Sequence, residues 1–238
     1  MSRGTQNTLL LLVGLSAVVM VIKGTYLHFV RPLLLPWLIA AAVVLIALAV
    51  ASIVRDLRHA TAEDSVDEDG HRHRAWLVWL LLVPIALTTF VVPPPLGAHG
   101  AAPQAVAATE PQRRPFPPLP AGRAPTVSIP DVVMRAAADS ANSLDGRPIT
   151  IKGFTLKYPE GTYLGRVVIV CCAADAQLAR IHLSGAAVAE AAGYPQDTWL
   201  ELEGTVVPGT SVASTNFIPT MAVSSVTPID KPANTYAY

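Results

Sequence analysis

Residues 33–54 read LLLPWLIAAAVVLIALAVASIV, which is 22 residues without a charged side chain. A helix of about 20 apolar residues crosses the roughly 30 Å hydrocarbon core of a bilayer. Uncharged apolar stretches also cover 4–22 and 75–92. We therefore predict three transmembrane helices, over about 4–22, 33–54 and 75–92, within a membrane region at residues 1–98.

The composition supports a membrane protein. Charged residues make up 14% of the 238 residues, apolar residues 52%, and the mean hydropathy is +0.44, whereas soluble domains carry about 25% charged residues. These values exclude a purely soluble globular chain and a disordered one. Lys and Arg equal Asp and Glu at 17 each, so no basic field indicates a nucleic-acid partner. The predicted partner is the lipid bilayer.

The first apolar stretch has an alternative interpretation as a cleaved signal peptide, because Arg3 precedes it. A signal peptide ends at a small-residue cleavage site, but this stretch ends in Val21, Ile22 and Lys23. A second apolar stretch follows after a short loop, so a helical hairpin in the membrane is favoured.

Flanking positive charges predict the orientation, because cytoplasmic loops are enriched in Lys and Arg. One side carries five such residues near the spans, and the other carries Lys23 and Arg31. The five are Arg3, Arg55, Arg58, Arg72 and Arg74. We therefore expect a multi-pass protein of the cell membrane, with a cytoplasmic N-terminus and an extracytoplasmic C-terminal domain.

A Pro- and Ala-rich linker is predicted at 99–125. Residues 93–125 contain ten prolines, and such segments favour extended polyproline conformations over packed cores. A Pro-x-x-Pro docking ligand is the alternative. On the outer side of a membrane we favour a stalk.

Residues 126–238 are predicted to form a small β-barrel domain with one or two short helices. A helix is expected from Ile129, and strands are expected at 149–156, 163–172, 177–183, 199–207 and 220–226, with a second short helix at 186–192. One helix between the third and fourth strands is typical of the oligonucleotide/oligosaccharide-binding (OB) barrel. The alternative is a generic β-sandwich. Gly153 predicts a bulge or a sharp bend.

The candidate ligand-binding residues are Cys171, Cys172, Asp175 and His182. On a strand, adjacent side chains point to opposite faces, so one cysteine is expected in the core and the other outside. The pair has three interpretations: a thiol site for a metal or small ligand with Asp175 and His182, a structural pair of cysteines, or a strained vicinal disulfide.

A weaker metal candidate lies in the loop between the second and third predicted spans. His71 and His73 follow Asp67 and Asp69 there, and such residues are ligands for transition metals. The adjacent arginines at 72 and 74 oppose cation binding, so a solvated connector is favoured.

Tyr26 and His28 lie between the first two predicted spans, where we expect them at the membrane interface. Ionisable groups at membrane depth suggest function, but snorkelling also explains them at the edge. Both interpretations stay open.

No catalytic motif occurs in the sequence. Hydrolase elbows, phosphate loops, dinucleotide fingerprints and zinc-protease helices are absent. A thiol redox enzyme needs a cysteine whose pKa is lowered by a helix N-terminus or a cation, and Cys171 on a strand is expected to have neither. We therefore expect no enzyme activity, and the cofactor stays unknown.

A set of short motifs runs through the chain: Gly24, Tyr26, His28, Phe29, Pro32, Pro93 to Gly97, Gly153, Phe154, Cys171, Cys172, Ala174, Asp175, Ala176, Trp199, Glu203 and Gly204. In these residues the chain resembles the YcgQ-like family of bacterial membrane proteins. The resemblance implies a non-catalytic accessory subunit that pairs with a larger multi-span permease. The alternative is an extracytoplasmic metal- or small-ligand-binding module that uses Cys171 and Cys172. The transported species and homo-oligomer formation stay open.

Overall fold

A computed structural model describes residues 3–60, 96–97 and 111–238. The chain divides into two compact units, Met1–Pro94 and Pro95–Tyr238. In the described residues, the first unit is helical and the second combines strands with short helices.

The first unit contains two helices, α1 (Arg3–Ile22) and α2 (Leu35–Ala60), which pack against each other. Small residues line their contact: Ala42 and Ala49 are buried, and a Cβ atom at Gly14 would lie 2.7 Å from Ile46 Cγ1. Close approach through small side chains is typical of helix pairs in membranes. Large apolar side chains on the rest of α2 are exposed, including Trp37 at 74%.

The first unit supports one of the three predicted spans. Pro32–Arg55 is the one described segment that is long and apolar enough to cross a membrane, with a mean hydropathy of 2.8. The apolar part of α1 is shorter, Leu9–Ile22, or about 21 Å at 1.5 Å per residue, because the first turns of α1 carry polar residues. The predicted third span at 75–92 lies outside the described residues.

The second unit begins with helix α3 (Ile129–Ala138), where the apolar spacing predicted it. The Ser128 hydroxyl accepts a hydrogen bond from Asp131 N at 3.3 Å, and a proline occupies the first turn. Both features favour a helix start. The helix buries Ile129 and Val132 against the sheet.

Six strands form a mixed sheet, one more than the five expected, and short helices accompany it as predicted. They are β1 (Pro148–Tyr158), β2 (Gly161–Val168), β3 (Gln177–Ser184), β4 (Trp199–Val206), β5 (Thr220–Pro228) and β6 (Tyr236–Ala237). Helix α4 (Val188–Gly193) lies between β3 and β4. The buried apolar side chains form two clusters. Every strand except the short β6 contributes to the first cluster, and the second surrounds Phe154, Trp199 and Tyr236.

The strand pairings form a circuit. Strand β1 pairs antiparallel with both β2 and β4, β2 pairs antiparallel with β3, and β4 pairs antiparallel with β5. Strands β3 and β5 pair in parallel, which connects the two halves. Strand β6 adds to β2 in parallel.

Of the bulge or sharp bend expected at Gly153, the bulge is wrong, and the bend stays a prediction. The register between β1 and β4 runs without a shift through Gly153, and the described register shift falls between Glu203 and Gly204. Glycine is required at 153 for another reason, since the carbonyl oxygen of Gly165 on β2 occupies the space of a Cβ atom.

The end of the predicted linker packs against the domain. Leu119 is buried in the core, Arg135 Nη1 donates a hydrogen bond to Pro117 O at 2.8 Å, and Arg147 Nη2 donates one to Pro120 O at 2.8 Å. Proline keeps the segment extended, and its carbonyls bind side chains of the domain instead of water. Residues 114–125 are therefore not a free stalk.

Candidate functional site

The two cysteines lie in the loop between β2 and β3. Strand β2 was predicted to extend to Cys172, but it ends at Val168, and a short 3-10 turn covers Ala173–Asp175. Cys171 is exposed and Cys172 is half-buried. The predicted alternation, with one cysteine in the core, is wrong because neither residue belongs to a strand.

The carboxylate of Asp175 shapes this loop. Its Oδ1 accepts a hydrogen bond from Val170 N at 2.7 Å, and its Oδ2 accepts bonds from Cys171 N at 2.8 Å and Cys172 N at 3.2 Å. These backbone N–H groups donate to the Asp175 side chain instead of to a neighbouring strand, which is common for Asp in turns. The loop geometry therefore depends on one side chain.

The same carboxylate contacts a thiol. Cys171 Sγ lies 2.8 Å from Asp175 Oδ2 and 3.6 Å from Cys172 Sγ. A disulfide has a sulfur–sulfur distance of about 2.05 Å, so the cysteines are a free dithiol here, and the vicinal disulfide is not formed.

The contact shifts the ionisation of both groups. The hydrogen bond to Asp175 raises the pKa of the Cys171 thiol to about 11, from the ordinary 9.0. The hydrogen bonds from Cys171 lower the pKa of Asp175 to about 2. Near neutral pH the free site therefore holds a carboxylate that accepts a hydrogen bond from a neutral thiol.

The cluster has the donor set of a metal site. One ligand atom from each of Cys171, Cys172 and Asp175 lies within 4.8 Å of the other two. Two thiolates at 2.3 Å from one tetrahedral zinc ion lie about 3.8 Å apart, close to the 3.6 Å observed. The bound ion would replace the proton between Cys171 and Asp175, and three protein ligands leave one position open.

Comparison with protein families matched the C-terminal region to a known domain model. Residues 132–238 match the model of the DUF1980 C-terminal domain. The match includes the whole Cys171–Asp175 cluster, and it fits a family without an assigned activity. No significant match was found among curated proteins or among solved structures.

His182 is not part of the cluster formed by Cys171, Cys172 and Asp175. The loop joins β3 at Gln177, whereas His182 lies five residues further on, about 16 Å along an extended strand. There it pairs with Tyr163 of β2, with ring centroids 4.9 Å apart. The structure therefore brings together three of the four predicted ligand residues.

The other candidate residues lie outside the domain. Asp67, Asp69, His71 and His73 fall outside the described residues. Tyr26 and His28 belong to a 3-10 turn, Thr25–His28, between α1 and α2, and both are half-buried. Their placement at a membrane interface stays a prediction.

The sequence analysis missed a second polar site, at the opposite end of the β2–β3 ladder. A cavity of about 330 Å³ is lined there by Glu160, Tyr163, Arg180, His182, Ser214, Thr215, Asn216, Ile218 and Thr220. One signal was available: Arg180 and His182 are two residues apart on β3, so they share a face of the strand. The loop residues come from distant sequence and gave no such signal.

Proposed function

We propose that the C-terminal domain of this membrane-anchored protein binds a thiophilic metal ion through Cys171, Cys172 and Asp175. The observation that carries the proposal is the convergence of two sulfur atoms and one carboxylate oxygen within 4.8 Å. Asp175 holds the loop in this arrangement through backbone hydrogen bonds, so the ligands are positioned before the ion arrives.

The donor set favours particular ions. Thiolates select Zn²⁺ and Cu⁺ over the hard cations Mg²⁺ and Ca²⁺, which prefer oxygen ligands. Because Cys171 is exposed and one coordination position stays open, the site suits an ion that is captured and passed on. A structural zinc site has four protein ligands.

The test measures zinc and copper bound to the full-length protein in detergent. We expect about one ion per chain, lost in the Cys171→Ser/Cys172→Ser protein and kept in Glu190→Gln, which removes an exposed carboxylate of α4 outside the cluster. A His71→Ala/His73→Ala protein should also keep the ion. Equal metal content in the double-serine protein, or loss only in the histidine variant, would refute the proposal.

The proposal includes a multi-pass anchor with the C-terminal domain outside the cytoplasm. Pro32–Arg55 supports one crossing. The small-residue contact between α1 and α2 supports a second, because it matches helix pairs in lipid. The third crossing at 75–92 rests on composition, and the orientation rests on the arginines near the spans.

We further propose that the strands of this domain close into an OB-type barrel. Following the pairings from β1 through β2, β3, β5 and β4 returns to β1. Helix α4 lies between the third and fourth strands, as in the five-stranded OB barrel.

A second candidate function is that of an accessory subunit of a transport assembly. The exposed apolar side chains of α2, such as Trp37 and Leu48, suit contact with further helices or with lipid. The resemblance to the YcgQ-like family implies a multi-span permease as the partner. Purification in mild detergent tests this function: recovery of a multi-span protein supports it, and a protein that always purifies alone refutes it.

A further inference from the structure

The cavity at the other end of the β2–β3 ladder carries a fixed cation. The Arg180 guanidinium lies over two tyrosine rings, with its Cζ 4.9 Å from the Tyr158 centroid and 5.4 Å from that of Tyr163. Such stacking holds the group in place. Within the described residues, the guanidinium makes no hydrogen bond or ion pair, so its N–H groups are available to a ligand.

The same cavity carries a carboxylate that does not pair with this cation. Glu160 is exposed in the turn between β1 and β2, and within the described residues it forms no ion pair. Both charges act on Tyr163: burial, and then Glu160, raise the pKa of its phenol, while Arg180 opposes this. One cavity therefore presents two opposite charges that do not satisfy each other.

The remaining wall is an ordered loop between β4 and β5. Asn216 and Phe217 have φ values of 50° and 57°, which are uncommon for residues other than glycine. The loop holds this conformation through its own hydrogen bonds, such as Ser211 Oγ to Phe217 O at 2.9 Å and Thr215 Oγ1 to Thr210 O at 2.9 Å. Its residues Ser214, Thr215 and Asn216 line the cavity.

We propose that this cavity binds a small zwitterion with a carboxylate and a protonated amine, as in an α-amino acid. Arg180 binds the carboxylate in the fork geometry of guanidinium groups, and Glu160 binds the amine. Glu160 also repels multiply charged anions such as phosphate. The volume of about 330 Å³ lies at the small end of ligand pockets, which span roughly 300–1,000 Å³. This site is separate from the cysteine cluster, so it does not depend on the proposed metal binding.

The test is equilibrium dialysis of the full-length protein in detergent against the common α-amino acids, with bound molecules identified by mass spectrometry. At about 10 mM total ligand, even a millimolar site fills measurably. We expect retention of at least one amino acid, about tenfold weaker in Arg180→Gln and in Glu160→Gln, because hydrogen bonds to charged groups are lost. Arg123→Gln removes a largely exposed arginine elsewhere on the domain, and it should bind as the unmodified protein does.

Two comparisons separate this proposal from its alternatives. The deaminated acid of the retained amino acid should bind more weakly than the amino acid, and Glu160→Gln should remove that difference. Cys171→Ser/Cys172→Ser should retain the amino acid even where it loses metal. If Arg180→Gln does not fold, Asn216→Gly probes the same cavity, since glycine adopts a φ of 50° and loses only the amide; it should weaken retention. No retained amino acid, equal retention in the cavity variants, or equal binding of the deaminated acid would overturn the proposal.

Discussion

Asp175 Oδ2 lies 2.8 Å from Cys171 Sγ and also accepts the backbone N–H of Cys171 at 2.8 Å. One carboxylate oxygen therefore fixes both the backbone and the thiol of the same residue. This contact places the thiol beside Cys172, and it also keeps the thiol protonated, because a proton between sulfur and carboxylate stabilises the neutral form. The contact thus positions the Cys171 and Cys172 sulfur atoms as ligands, but a metal ion must displace the proton of the Cys171 thiol to bind there.

Metal affinity should rise steeply with pH. The pKa of Cys171 is raised to about 11, so its thiol is protonated in the free protein at every pH below that value, and binding must release the proton. Each proton released makes the apparent dissociation constant about tenfold smaller per pH unit. Competition with a zinc-binding dye between pH 6 and pH 8 measures the slope. A slope of zero would contradict thiolate ligation at Cys171.

Removing the carboxylate should make Cys171 more reactive. In Asp175→Asn the pKa of Cys171 should fall from about 11 towards 9.0, since the anionic acceptor is lost. Alkylation at pH 8 should then be about tenfold faster, after allowing for the weaker nucleophilicity of a less basic thiolate. The rate is measured by mass spectrometry in a Cys172→Ser background, which leaves one thiol.

The control for this measurement is Glu190→Gln in the same background, because it removes an exposed carboxylate away from the loop. Its alkylation rate should match that of the Cys172→Ser parent. Equal rates in Asp175→Asn and in the parent would show that the contact does not control the thiol.

Gly153→Ala should destabilise the C-terminal domain by roughly 1–3 kcal/mol, the usual cost of overpacking. The carbonyl of Gly165 occupies the space of the added methyl group, and Ile129 Cδ1 lies 2.7 Å from it. Because a backbone atom cannot rotate away, β1 and β2 must separate. The midpoint of urea unfolding, followed by near-ultraviolet circular dichroism, measures the loss.

Gly193→Ala is the matched control for this prediction, since nothing lies within 4 Å of a Cβ atom at the end of α4. We expect its unfolding midpoint to equal or exceed that of the unmodified protein. A Gly153→Ala protein as stable as Gly193→Ala would show that β1 and β2 tolerate a wider separation.

Fusions should report a C-terminal domain outside the cytoplasm. A reporter active only outside should be active after Tyr238 and silent after Asp69, because the flanking arginines resist translocation. Replacing Arg55, Arg58, Arg72 and Arg74 by Gln should give mixed orientation. Activity after Asp69 in the unmodified chain would reverse the proposed topology.

The sequence by itself determined the local elements of this protein. Apolar spacing from Ile129 placed α3, and alternating apolar residues placed β1, β3 and β4 close to their observed bounds. An uninterrupted apolar stretch identified Pro32–Arg55 as long enough to cross a membrane. These features follow from periodicity and length, which depend on residues close together in the chain.

Only the tertiary structure decided the contacts between distant residues. Strand β2 ends at Val168, where three backbone N–H groups bind Asp175. His182 lies outside the cysteine cluster, and residues 114–125 pack against the domain. The same holds for the cavity, which Arg180 of β3 and Asn216 of a distant loop both line. Sequence patterns report which residues prefer a strand or a turn, but which carbonyl, ring or carboxylate meets a given side chain depends on how the strands pair.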